Sequence, residues 1–208
     1  MPFTIVRQDI TRMRVDAIVN AANTDLATGG GVCGAIFRGA GEKALQAACD
    51  GLAPIRVGEA VVTPGFGLDC RYIIHAAGPV YRRWNAGQCE RLLRAAYAAS
   101  LRLAAERGCE SIAFPLISSG IYGYPKDEAL RVATAAIREF LASQDMDIYL
   151  AVFDREAFAA GTALLGSVAS YIDEHYADAH RIRRPQLLPV EREALEDARY
   201  DRGDGRAM

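Results

Sequence analysis

A three-layer α/β/α sandwich around a central mixed, mostly parallel sheet is the fold class this sequence predicts. Three observations carry it. Short apolar runs alternate with longer segments of helical periodicity along most of the 208 residues. Two of those runs end in small, polar, glycine-bearing loops that lead straight into helical patterns, as in open α/β sheets. Hydrophobic residues make up 51% of the chain, enough for a core of real size.

The elements follow in chain order. Residues 3–7, Phe-Thr-Ile-Val-Arg, read as an opening strand, and Asp9-Ile10-Thr11 as a turn. Val15 to Val19 is the next strand and feeds a loop with three consecutive glycines, Gly29, Gly30 and Gly31. Gly34 to Asp50 reads as one helix, with Gly51 as its stop. Glu59 to Thr63 and Tyr72 to Ala76 are strands that end at Pro64-Gly65 and Gly78-Pro79. Gln88 to Arg107 is an amphipathic helix, with Leu92, Tyr97, Leu101 and Ala104 at helical spacing. Ile112 to Ile117 is apolar throughout, the pattern of a buried central strand. Pro125 to Ala142 is the next helix, with Asp127 and Glu128 in its first turn, where they suit the macrodipole. Asp147 to Phe153 is the last expected strand, and a long helix from Asp154 to His175 or beyond follows it. From Arg181 the composition turns charged, so residues 1–178 are expected to form the domain and 179–208 an appended tail.

The two glycine loops are the candidate site. Glycines let a backbone approach a ligand closely. A helix start adds N–H groups and partial positive charge that suit a phosphate. The first loop fits neither GxGxxG nor GxxxxGK[ST], so neither dinucleotide nor P-loop binding follows from it. The second, Ser118-Ser119-Gly120-Ile121-Tyr122-Gly123, repeats the strand–loop–helix logic. Two such loops at the carboxyl ends of strands in one sheet point to a ligand with more than one phosphate.

Composition narrows the rest. A formal net charge of -2 gives no basic field for nucleic acid. No apolar run is long enough to span a bilayer, so no membrane association is expected, and the N-terminus lacks a signal-peptide pattern. Five scattered cysteines form no CxxC and no zinc-spaced set, so no metal and no cofactor are expected, and a reducing cytoplasmic setting is. A monomer is the expected state.

Taken together, Asp9-Ile10-Thr11, the Val15-to-Asn23 segment VDAIVNAAN, Gly29-Gly30-Gly31-Val32, Ile73-Ile74-His75-Ala76-Ala77-Gly78-Pro79 and Ser118-to-Gly123 resemble the macrodomains, modules that bind ADP-ribose. The resemblance spans roughly Phe3 to Ile172. It implies a role for each matching position. Asp9 would accept a hydrogen bond from the adenine amino group, with Ile10 adding an amide, and Phe153 would pack along the base beside Asp154. Asn23 would hold the distal ribose, since an amide donates and accepts at once. Gly30, Gly31 and Val32 would cradle one phosphate and its ribose, and Ser118, Ser119, Gly120, Ile121 and Tyr122 the other, with Tyr122 over the distal ribose. Asn20 reads as a brace on local backbone, and His75, inside an apolar strand, as a structural, hydrogen-bonded histidine rather than a base.

The nearest branch is the MacroD type, which includes O-acetyl-ADP-ribose deacetylases. It carries an aspartate after Gly-Gly-Gly-Val and a histidine four residues later; here those positions are Cys33 and Phe37. The implied activity is hydrolysis of an ADP-ribosyl ester on a protein or of O-acetyl-ADP-ribose. Asn23 and Cys33 are the candidate catalytic residues, and a ligand phosphate oxygen takes the proton from water. A non-catalytic ADP-ribose reader is the alternative. Cys33 itself reads as a pocket filler, or else as a direct contact at a helix start, where thiol pKa values fall.

Overall fold

The structure is a computed structural model that describes residues 3–165, 169–172 and 174–180, together with 188, 189 and 192. Most of the expected 179–208 tail lies outside the described residues. Seven strands form one sheet: β1 (Phe3–Arg7), β2 (Ala17–Ala22), β3 (Ala60–Pro64), β4 (Tyr72–Ala77), β5 (Ser111–Pro115), β6 (Asp147–Val152) and β7 (Ala169–Ser170). Their spatial order is β3-β4-β2-β5-β6-β1-β7. Every pair is parallel except β3 with β4, which a short connection returns antiparallel. The sheet is therefore mixed and mostly parallel, and the α/β architecture read from the sequence is the one observed.

The helices are α1 (Gly31–Ala40), α2 (Glu42–Asp50), α3 (Ala86–Glu106), α4 (Lys126–Leu141), α5 (Arg155–Leu165) and α6 (Glu174–His180). Strand periodicity sorts them onto two faces. Ala17 and Val19 of β2, with Ile74 and Ala76 of β4, pack among residues of α3, α4 and α5. Ile18 and Ala22 of β2, with Ile73 and Ala77 of β4, pack among residues of α1 and α2. Alternation of period two thus builds two cores from single strands. Ile36, Phe37 and Leu45 are fully buried on one face; Leu93, Tyr97, Leu101 and Phe114 are on the other. Each apolar side chain among them contributes about 1.5–3 kcal/mol.

Three elements differ from the sequence reading. The expected helix 34–50 is two helices, because the chain turns at Gly41 with φ +98°. β2 does not stop at Val19 but runs through Asn20 to Ala22, so both residues are part of the sheet. The long helix after β6 ends at Leu165, and a strand, β7, adds in parallel beside β1 before α6 begins.

Tyr97 of α3 couples one face of the sandwich to the second glycine loop. Its hydroxyl is fully buried, donates to the Pro115 carbonyl at 3.2 Å and accepts from the Ile117 amide at 3.1 Å. Those two groups are where β5 ends and the loop begins. Tyr97→Phe is expected to leave both buried backbone groups without this partner and to cost about 1–3 kcal/mol. Urea unfolding would show it as a lower midpoint at unchanged slope.

Candidate functional site

Parallel strands deliver their carboxyl ends to one edge of the sheet, and the candidate residues are the loops that leave there. β2 ends at Ala22 and leads to the 23–30 loop, β4 ends at Ala77 before Gly78, and β5 ends at Pro115 before the 116–124 loop. A single cleft lies between these loops. Asn23, Gly30, Gly31, Val32 and Cys33 line one wall, and Ser118, Gly120, Ile121 and Tyr122 line the other. Nine of the expected residues are therefore brought together.

Residues that line this cleft carry unpartnered backbone donors. No side chain caps α1 at Gly30. Among the described residues, the N–H groups of Gly31 and Val32, and those of Gly120 and Ile121, have no acceptor. A helix start left in that state favours an anion. Gly31 holds φ +57°, a conformation that suits glycine, and a Cβ there would meet open space rather than protein. Ser118 adopts φ +64°, which is costly for a residue with a side chain. Its hydroxyl is buried and has no hydrogen-bond partner among the described residues. A strained residue with an orphaned hydroxyl in such a cleft makes it the candidate site.

Gly78, read from the sequence only as a strand end and as part of the family resemblance, also lines the cleft between the two loops. A Cβ on it would lie 2.3 Å from Ser118 Oγ and 2.5 Å from Ile117 Cγ2. Its signal was the Gly-Pro pair directly after a strand. Ser119, expected as a contact, points its hydroxyl back to the Leu116 carbonyl at 2.7 Å and is not a lining residue.

Both asparagines are bonded within the chain, Asn23 to its own loop and Asn20 to the core. Asn23 Nδ2 donates to the Ala27 carbonyl at 2.8 Å, and its Oδ1 accepts from the Ala27 amide at 3.1 Å, so Asn23 braces the loop while lining the cleft. One N–H and one lone-pair site of its amide remain for a ligand. Asn20, the expected brace, bonds no local backbone. It sits opposite His75 across the β2–β4 pair, and its Nδ2 donates to His75 Nδ1 at 3.1 Å and toward Cys33 Sγ at 3.6 Å. His75 Nε2–H then donates to Thr63 Oγ1 at 3.0 Å. His75 is fully buried, with Phe37 edge-on at 6.3 Å and the Cys49 thiol 3.8 Å from Nε2. Burial lowers its pKa to about 4, so the ring is neutral and structural, and burial pushes the Cys49 thiol up to about 11.

Cys33 lines the cleft, but its thiol turns inward. It is buried and donates to the Ala27 carbonyl at 3.8 Å. Among the lining residues there is no carboxylate, histidine or lysine. Nor, among the described residues, do three His, Cys, Asp or Glu side chains gather as a metal set.

The residues expected around a base stand apart from this cleft. Asp9 caps a short 3-10 helix, Ile10–Arg12, through bonds from the Thr11 amide and hydroxyl at 2.9 and 2.7 Å. The Ile10 amide has no acceptor among the described residues. Phe153 follows β6. Asp154 Oδ1 accepts from the Ala157 amide at 2.9 Å and pairs with Lys126 at 2.8 Å. Burial alone would raise the Asp154 pKa, but the Lys126 and Ala157 bonds outweigh it and the net shift is downward. Asp154 is thus a helix cap and an ion-pair partner.

A family model for the Macro domain matches residues 19–133. The chain belongs to the macro domain family. A macro domain-containing protein of Chlorobaculum tepidum is 45% identical over 170 residues, covering 75% of this chain and 95% of that protein. The Xenopus laevis ADP-ribose glycohydrolase MACROD2 is 47% identical over 133 residues, 64% of this chain but only 32% of that larger protein. A Trypanosoma brucei macrodomain solved in complex with ADP-ribose superposes with a TM-score of 0.72 at 37% identity, over 79% of this chain and 69% of that one. No helix among the described residues of this macro domain is long and apolar enough to cross a membrane.

The buried histidine makes stability depend on pH. His75 stays neutral in the folded macro domain down to about pH 4, whereas its unperturbed pKa is 6.5. The unfolded chain therefore takes up the extra proton between those values. Stability from this group is full above about pH 6.5 and falls as pH drops toward 4, by roughly 3 kcal/mol in total. Urea unfolding at pH 7 and pH 4.5 should show a steeper loss in the wild type than in His75→Gln; equal losses would contradict it.

Proposed function

We propose that this macro domain binds ADP-ribose across the two amide-lined loops and hydrolyses ADP-ribosyl esters, on proteins or as O-acetyl-ADP-ribose. The observation that carries the reading is the pair of unpartnered backbone amides on each wall of one cleft, with the orphaned Ser118 hydroxyl between them. Two donor sets facing each other suit a diphosphate. Asn23, at the mouth of the first loop, has amide capacity left for ribose hydroxyls. Asp9, Ile10 and Phe153 take the adenine, and Tyr122 covers the distal ribose.

The chemistry follows from what the cleft holds. With no carboxylate or histidine among the lining residues, the proton of the attacking water goes to a phosphate oxygen of the ligand. For a protein ester at the anomeric carbon, water adds to that carbon, the C–O bond breaks, and the acid leaves as its carboxylate beside free ADP-ribose; for an acetyl on another ribose hydroxyl, water adds to the ester carbonyl, the acyl C–O bond breaks, the ribose oxygen takes the second water proton, and acetate leaves. Asn23 positions the water and ribose. Cys33 shapes the pocket floor, since its thiol faces Ala27 and Asn20 rather than the cleft. A non-catalytic reader is the second reading, and the absence of a protein base from the lining residues favours it. Assay of the purified protein on glutamate-linked ADP-ribosyl protein and on O-acetyl-ADP-ribose separates the two.

ADP-ribose should bind by calorimetry and raise the unfolding temperature. No binding at millimolar concentration would overturn the proposal. Gly31→Glu should abolish binding while the fold persists: it places a carboxylate among the amides, and its Cβ meets open space. The left-handed backbone there should cost about 1 kcal/mol. Cys33→Ala should keep turnover within about threefold, as expected for a filler that makes no bond to water or ligand. Complete loss of turnover at unchanged affinity would make Cys33 a catalytic residue.

A further inference from the structure

The nucleobase end of the proposed site is already occupied by a side chain of this chain. Tyr176 of α6 donates its phenol proton to Asp9 Oδ2 at 2.7 Å, 167 residues away in sequence. Its ring meets Phe153 edge-on at a centroid distance of 6.4 Å, lies under the Arg12 guanidinium at 5.6 Å and stacks on His180 at 4.0 Å. One tyrosine thus contacts two of the residues assigned to the adenine, Asp9 and Phe153, and the Arg12 cation beside them. The other carboxylate oxygen, Oδ1, is committed to the Thr11 amide and hydroxyl. An ionised carboxylate accepts only, so Oδ1 is filled, and Oδ2 is held by a tyrosine whose ring also lies against Phe153.

Resting on the ADP-ribose reading above, we propose that Tyr176 is a competitor built into the chain for the nucleobase: its hydroxyl holds Asp9 in the ligand-free protein and must release it before a base can donate an exocyclic amine to the same oxygen. The element that carries Tyr176 suits this exchange. α6 has seven residues, too short to hold its own shape in water. Its seat depends on tertiary contacts, among them the buried Ala177 and the contacts of Tyr176 with Asp9, Phe153 and Arg12. Replacing one donor by another at Asp9 conserves the hydrogen-bond count. Ligands that bring a base amine therefore exchange partners with α6, whereas ligands without a base leave α6 in place. Tyr176 thereby sets how much of the affinity for a nucleotide the base end can supply.

The test compares wild type, Tyr176→Phe and Asp9→Asn by calorimetry with ADP-ribose and with ribose 5-phosphate. Tyr176→Phe keeps the ring and removes only the competing donor, so ADP-ribose should bind about three- to tenfold more tightly. Ribose 5-phosphate should bind the same in both, and Asp9→Asn should abolish the gain from Tyr176→Phe. Unchanged or weaker ADP-ribose binding in Tyr176→Phe, with the wild type binding normally, would overturn the competition alone. A wild type that binds neither compound would overturn the ADP-ribose reading, and the competition with it.

Discussion

The constraint on which the molecule depends is that parallel strands cannot turn back on themselves. β2, β4, β5, β6 and β1 all leave the sheet at the same edge; β1, β4, β5 and β6 must each cross over to reach the next parallel strand, and β2 leads through α1 and α2 into the antiparallel β3. Where the crossover is a helix, its first amides have no carbonyl of the preceding turn to bond. At α1 no side chain caps them, and the 116–124 loop adds a second set before α4. The site is thus a by-product of sheet direction that the chain leaves uncapped on one edge. On the opposite edge the same kind of problem is solved internally: Asp16 accepts from the Glu110 and Ser111 amides at 2.8 and 3.1 Å.

The buried polar row behind the cleft is the second structural theme. Asn20 and His75 face each other because parallel register pairs them and period two turns both toward α1 and α2. A neutral imidazole can accept on one nitrogen and donate on the other, and here it links Asn20 to Thr63. Phe37 covers the ring and keeps it dry. Cys33 touches the end of this row, so the residue that most distinguishes the pocket is held by the core rather than by a ligand. Asn20 Oδ1 has no partner among the described residues, which leaves one unspent acceptor in the row.

How much of this was legible from residue order depends on how local each signal is. Both glycine loops, the central strand 112–117 and helices α3 and α4 stood out because their periodicity or composition is contained in a short window. The break at Gly41 was hidden because the apolar face continues on both sides of it, from Ile36 to Leu45. β7 was hidden because a two-residue strand carries almost no pattern. The place of Asn20 in the core was hidden because β2 runs three residues further than its β-branched run. Tyr176 could not be seen at all: its contact with Asp9 spans nearly the whole chain, and nothing near either residue marks it.

The central claim is that one diphosphate ligand engages the two amide walls together. Amide NMR titration with ADP-ribose measures this directly, through the Gly31, Val32, Gly120 and Ile121 signals. The account predicts that all four shift and reach saturation at the same ligand concentration, while the Glu110 and Ser111 amides on the opposite edge stay unmoved. Shifts confined to one wall, or saturation at two different concentrations, would contradict it.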